Sequence, residues 1–130
     1  MNLKIDVTKK QEGYYVVALS GCIDSDTYLE LEKKLDSILQ PSTTALILDM
    51  GGVVYISSIG FSVIFRAKQT IEKNGGSLAI ANLQPNVKKI FDAVKAIPEP
   101  FFATLQQADE YLDAYIKTIN REDSSPHNAP

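Results

Sequence analysis

The sequence predicts an α/β domain: a mixed β-sheet of about five strands with about four helices packed largely on one face. Two observations carry this. Apolar residues alternate with polar ones at the N-terminus and then switch to helical spacing, giving the order β-β-α-β-α-β-α-(β)-α. An opening hairpin followed by strand and helix units requires crossovers, and right-handed crossovers between parallel strands put their helices on a common side. A chain of 130 residues fits one such domain, expected over residues 1–120.

Residues 3–8 alternate and residues 14–20 are aromatic and β-branched; Gln11-Glu12-Gly13 between them reads as a hairpin turn. Tyr28, Leu31, Leu35, Ile38 and Leu39 then form one helical face, with Thr27 and Glu30 spaced as a capping box and Pro41 ending the helix. Ala45-Leu-Ile-Leu48 is a continuous apolar run that suits a strand buried on both faces. A second helix is expected from Ser57 or Ser58 to about Lys73, with Gly60, Val63, Ile64, Ala67 and Ile71 inward and Asn74-Gly75-Gly76 as its end. Ser77–Ala81 reads as a strand, and Pro85 opens a helix with Val87, Ile90, Phe91 and Val94 as its stripe. Glu99–Phe102 allows a short edge strand. Thr104 and Gln107 give a second capping box before a last helix faced by Ala108, Tyr111, Leu112, Tyr115 and Ile119. From Arg121 the composition offers nothing to bury, so residues 121–130 are expected to be a disordered tail.

Composition excludes several kinds of chemistry. Cys22 is the one cysteine, which rules out an internal disulfide and any site built from several thiolates. The one histidine, His127, lies in the expected tail, away from the packed neighbours that imidazole catalysis needs. A net charge of −3 gives no broad cationic surface for nucleic acid. With 45% hydrophobic residues, no basic and apolar leader and no long apolar run, a soluble protein of the cytoplasm without membrane insertion is expected. Gly51-Gly52 and Gly75-Gly76 lack the Lys-Ser/Thr of a phosphate loop and read as turns; Ser57-Ser58-Ile59-Gly60 lacks the pattern of a nucleophile elbow. No enzyme activity, cofactor or metal is expected.

One junction is left. Tyr55-Ile56-Ser57-Ser58-Ile59-Gly60-Phe61 places two adjacent hydroxyls at a helix start, where capping uses only one. If Ser57 caps, Ser58 is the first helical residue and projects from the helix end. The pair then reads either as a plain double cap or as a modification site. A phosphate on Ser58 would add about −1.5 to −2 charges against the positive helix end, stabilising it by roughly 0.3–1 kcal/mol. A partner docked there would instead face a desolvated dianion.

Residues 45–66, from Ala-Leu-Ile-Leu-Asp through Val-Val-Tyr-Ile-Ser-Ser-Ile-Gly-Phe, resemble the signature of STAS domains, specifically the bacterial anti-sigma factor antagonists. Gly21-Cys-Ile-Asp24 resembles the family motif after the second strand, and Asn82–Phe91 resembles its fourth-strand exit and third helix; the likeness spans about residues 3–117. The resemblance implies that Ser58 is the serine phosphorylated by a partner that is both an anti-sigma factor and an ATP-dependent serine kinase. It implies binding when Ser58 is unmodified, release on phosphorylation, and resetting by a metal-dependent serine phosphatase. Ser57 departs from the Asp of the best-studied subgroup, and Ile59 stands where a second Ser or Thr is frequent. Asp24 either borders the acceptor surface, as in the family, or is one of the helix-start carboxylates, with Asp26, that complement the helix dipole. Phe61 and Phe65 are either an exposed partner contact or buried by a wide helix face, and Ser62 is a candidate rim contact or minor acceptor. The expected partner-binding set is thus Asp24, Ser57, Ile59, Gly60, Phe61, Ser62 and Phe65, on a monomer or weak dimer. The competing reading is a constitutive STAS subunit of a transporter or signalling scaffold that needs no phosphorylation.

Overall fold

The computed structural model describes residues 2–93 and 100–124. Strands β1 (Leu3–Gln11) and β2 (Tyr14–Ile23) form the expected hairpin and pair antiparallel; β3 (Ala45–Ile56), β4 (Ser77–Ala81) and the two-residue edge strand β5 (Phe101–Phe102) follow in parallel, in the spatial order β1-β2-β3-β4-β5. Helices α1 (Tyr28–Ile38), α2 (Ser58–Lys73) and α3 (Pro85–Ala93) lie in the connections between successive parallel strands. With strands added always in one direction, right-handed crossovers leave all three helices on one side.

The main core lies there. Val17, Leu19, Leu46, Leu48, Leu78 and Ile80 from the sheet meet Leu31, Leu35, Val63, Ile64, Val87 and Phe91 from the helices. Strand residues of the opposite parity build a smaller second core. Tyr14, Ala45, Ile47, Ala79 and Ala81 face Ala108 and Leu112 of α4 (Leu105–Ser124), with Ile116 alongside. The alanines keep this face low, so α4 packs closely on β3 and β4. The buried Tyr14 hydroxyl donates to Asp109 Oδ1 at 2.6 Å and Lys10 Nζ donates to the same oxygen at 2.7 Å, tying α4 to the hairpin. Burial, then the Asp109 carboxylate, pushes the Tyr14 hydroxyl well above its ordinary range; the Lys10 and Tyr14 hydrogen bonds hold Asp109 below the usual carboxylate value.

Several local expectations change. Gly51 and Gly52 lie inside β3, which runs on to Ile56; a Cβ on Gly52 would sit 2.7 Å from Ser20 Cβ, so the strand continues only because glycine lets β2 approach. Thr27 precedes α1 but forms no capping box. Its buried hydroxyl turns back to donate to the Cys22 carbonyl at 2.8 Å and accepts from Asp24 N–H at 3.0 Å. The second box does form: Gln107 N–H donates to Thr104 Oγ1 at 3.1 Å and Thr104 N–H to Gln107 Oε1 at 3.3 Å. Tyr111 is exposed rather than inward, tilted against Phe102. Helix α4 continues to Ser124, past the expected boundary at 120, since no Gly or Pro interrupts residues 121–124. Val94, Glu99, His127 and the rest of the expected tail lie outside the described residues.

Candidate functional site

The Ser57–Ser58 junction stands where β3 ends and α2 begins, beside the end of β2. Ser57 has extended dihedrals (φ −92°, ψ 172°) and is the N-cap: its Oγ accepts from Gly60 N–H at 3.3 Å. Its own N–H donates to the Ile23 carbonyl at 2.8 Å, so the cap is fixed to β2 as well as to the helix. Ser58 is therefore the first helical residue, and it is exposed. The first turn of α2 carries no acidic side chain, which leaves the positive end of the helix uncompensated from within α2.

Asp24 follows Ile23 and so lies next to this junction. Its Oδ1 is engaged within the β2–α1 turn, accepting from Asp26 N–H at 2.9 Å. That bonding makes Asp24 first a turn-fixing carboxylate, with Asp26 exposed beside it.

Two expected contacts point inward. Gly60 is buried: a Cβ there would lie 2.6 Å from Ile23 Cγ2, 2.8 Å from the Ile23 carbonyl oxygen and 3.0 Å from Ile56 Cγ1. The missing side chain admits β2 and β3, so this glycine opens no surface to a partner. Phe61 is only 6% exposed, edge-on to Phe91 at 4.4 Å and stacked on Phe65 at 5.3 Å. The wide helix face buries it, and Phe65 is half-buried against the same core. Ile59 is 37% exposed and Ser62 is exposed, its Oγ donating to the Ser58 carbonyl at 3.2 Å.

Val54 and Tyr55, which the sequence reading left unassigned, are 43% and 47% exposed just before the junction. What exposes them is that β3 outruns β4: the pairing of the two strands ends at Asp49↔Ala81, whereas β3 runs on to Ile56. Among the described residues no group of three or more His, Cys, Asp or Glu side chains could hold a metal ion, and no described helix is long and apolar enough to cross a membrane.

The β-β-α-β-α-β-α-β-α order, with a serine pair opening α2, defines a class, and the comparisons agree with it: the STAS domain family model matches residues 6–108. The chain belongs to the STAS domain family. It is 28% identical over 92 residues to a putative anti-sigma factor antagonist, BtrV of Bordetella bronchiseptica, covering 71% of this chain and 77% of that protein. It is 27% identical over 92 residues to the anti-sigma-B factor antagonist of Staphylococcus aureus, covering 71% and 84%. In structure it is similar to the anti-sigma factor antagonist SpoIIAA in its unphosphorylated form (TM-score 0.76, 18% identity, 85% of this chain and 97% of that one). The phosphorylated form of SpoIIAA from Bacillus is also similar (TM-score 0.67, 18% identity, 83% and 98%). At these identities the structural likeness establishes the fold.

Proposed function

We propose that the protein is an anti-sigma factor antagonist, a binding module switched by phosphorylation of Ser58. The observation that carries this reading is the division of labour at the start of α2: Ser57 supplies the cap, and Ser58 stands exposed at the helix end. The names of the relatives support the same role. Unmodified, the surface around Ser58 binds an anti-sigma factor that is also an ATP-dependent serine kinase, freeing the sigma factor. The partner supplies ATP and catalysis; this chain supplies the acceptor hydroxyl, whose oxygen bonds to the γ-phosphorus as the bond to ADP breaks and whose proton passes to a base of the kinase.

Phosphorylation leaves the fold intact, because a dianion at a helix N-terminus is stabilising by roughly 0.3–1 kcal/mol. A partner packed over that end must desolvate the same dianion at a cost of several kcal/mol. That asymmetry drives release, and a metal-dependent serine phosphatase resets the cycle in the cytoplasm. Ile59, Ser62, Val54 and Tyr55 supply exposed contact area around the acceptor, Phe65 contributes its exposed edge, and Asp24 holds the adjoining turn. The absence of a carboxylate at Ser57 leaves acceptor orientation to the backbone.

The test incubates the protein with the serine kinase that co-purifies with it, or is encoded beside it, and Mg-ATP, following intact mass for wild type, Ser58→Ala and Ser62→Ala. Wild type and Ser62→Ala gain one phosphate and Ser58→Ala gains none. Equal gain by Ser58→Ala rejects the assignment. A stable complex undisturbed by Ser58→Asp would instead favour a constitutive subunit.

A further inference from the structure

The part of β3 that presents Val54, Tyr55 and the serine pair has a strand neighbour on one side only. Ser20–Ile23 of β2 pair with it, whereas β4 stops at Ala81, opposite Asp49. Along the vacant edge runs Asn82-Leu83-Gln84-Pro85-Asn86, and every second residue delivers a side-chain amide to it. Asn82 Nδ2 donates to Asp49 Oδ1 at 3.0 Å, the oxygen that also accepts Gly51 N–H at 3.0 Å. Gln84 Nε2 donates to the Gly51 carbonyl at 2.8 Å, and Asn86 Nδ2 donates to the Val54 carbonyl at 2.7 Å. Between these amides Leu83 packs against the main core, which keeps the alternation in register.

Asn82 adopts φ 63°, the left-handed region that asparagine tolerates better than most residues. It is held there by its N–H bond to the Phe102 carbonyl at 3.1 Å and by its bond to Asp49. Sparsely populated backbone conformations persist where surrounding contacts over-determine them, and they cluster at functional sites. The arrangement is a ladder continued by side chains, and it ends two residues before Ile56 and three before Ser57.

We propose that Asn86, backed by Gln84 and Asn82, is a positioning residue for the Ser58 site: its amide fixes the free edge of β3 so that Val54, Tyr55 and Ser58 meet the partner as one rigid surface. The inference rests on the phosphorylation-switch reading for its kinetic consequence, but the clamp itself can be read without a partner. Asn86 is exposed and is the second residue of α3, so Asn86→Asp removes the donor while placing a carboxylate where the helix N-terminus favours one. The variant therefore separates positioning from folding.

The experiment compares wild type, Asn86→Asp, Asn86→Ala and Asn86→Gln, full length, by amide hydrogen exchange across residues 50–58, thermal unfolding, and phosphorylation kinetics with the kinase and Mg-ATP. In Asn86→Asp and Asn86→Ala, exchange across 53–56 rises about fivefold, as expected for one lost hydrogen bond, with the unfolding midpoint of Asn86→Asp unchanged. KM for the protein substrate rises by about the same factor while kcat stays within about twofold, and Asn86→Gln, which keeps a donor, recovers part of both effects. Unchanged exchange, or an unchanged KM beside altered exchange, overturns the proposal. If wild type takes no phosphate, the functional reading and the positioning claim built on it both fail, while the exchange result still shows whether the amide clamps the strand.

Discussion

Replacing Gly60 by alanine tests how the acceptor site is mounted. In an ordinary helix interior this exchange stabilises by about 1 kcal/mol, because glycine is the poorer helix former. Here the added methyl meets Ile23 Cγ2 at 2.6 Å, the Ile23 carbonyl at 2.8 Å and Ile56 Cγ1 at 3.0 Å. The Ile23 methyl can rotate aside; the carbonyl cannot, because it accepts the Ser57 N–H. Forcing a methyl into packed surroundings costs about 1–3 kcal/mol, and against a fixed carbonyl the cost lies in the upper part of that range, about 2–3 kcal/mol, so after the propensity gain of about 1 kcal/mol the net loss is about 1–2 kcal/mol. For a chain of this size that lowers the unfolding midpoint by about 3–8 °C. Urea unfolding with a fixed m-value measures the loss, and hydrogen exchange at Ser57 should rise with it. Gly75→Ala is the contrast: nothing lies within 4 Å of its Cβ position, but φ is +82°, so it costs about 1 kcal/mol through the backbone alone and leaves Ser57 exchange unchanged. A Gly60→Ala protein as stable as wild type, or more so, would refute the close approach of α2 to β2.

The remaining predictions concern the groups that frame the site and the second core. Ser57→Ala loses the cap and about 1 kcal/mol in chemical denaturation, whereas Ser57→Asp retains most of it. Thr27→Val leaves the Cys22 carbonyl without its hydroxyl donor and costs about 1–3 kcal/mol, while Thr27→Ser stays within about 1 kcal/mol of wild type; urea midpoints distinguish them. Asp109 has its folded pKa depressed by Lys10 and Tyr14, so its contribution to stability is present above the unfolded value near 4 and is lost as pH falls through the lower folded value. Asp109→Asn should therefore be less stable than wild type at pH 7 by about 1–2 kcal/mol, with the gap narrowing in denaturation at pH 3. A gap that stays constant with pH would contradict the ionic contribution.

The strands and helices were legible where their periods were long and their stops chemical. The Thr104–Gln107 box and the Asn74-Gly75-Gly76 stop formed as the spacing implied. Thr27 and Glu30 have the same box spacing, yet a buried Cys22 carbonyl competed for the hydroxyl, and such a competitor is visible only once β2 is in place. Gly51-Gly52 read as a turn because glycine pairs punctuate chains; the crowding by Ser20 that makes Gly52 necessary inside β3 is a tertiary contact. The serine pair and the helix period sufficed to place Ser58 first in α2, but its role as acceptor was implied only by the family resemblance. The helix period put Gly60 on the inward stripe and left Phe61 between burial and exposure; what it could not supply is the crowding by Ile23, Ile56 and Phe91, which arrive from three other elements. Exposure of Val54 and Tyr55 follows from β4 being shorter than β3, a difference no local pattern records.

The most direct test of the central claim is calorimetric titration of the purified anti-sigma kinase with the protein before and after stoichiometric phosphorylation, with the modified residue mapped by fragmentation. The account predicts that the phosphate maps to Ser58, that the thermal midpoint of the protein does not fall, and that affinity drops at least about a hundredfold, the fold-change equivalent to about 3 kcal/mol. Equal affinity of the two forms, or loss of binding with the phosphate on another residue, would contradict it.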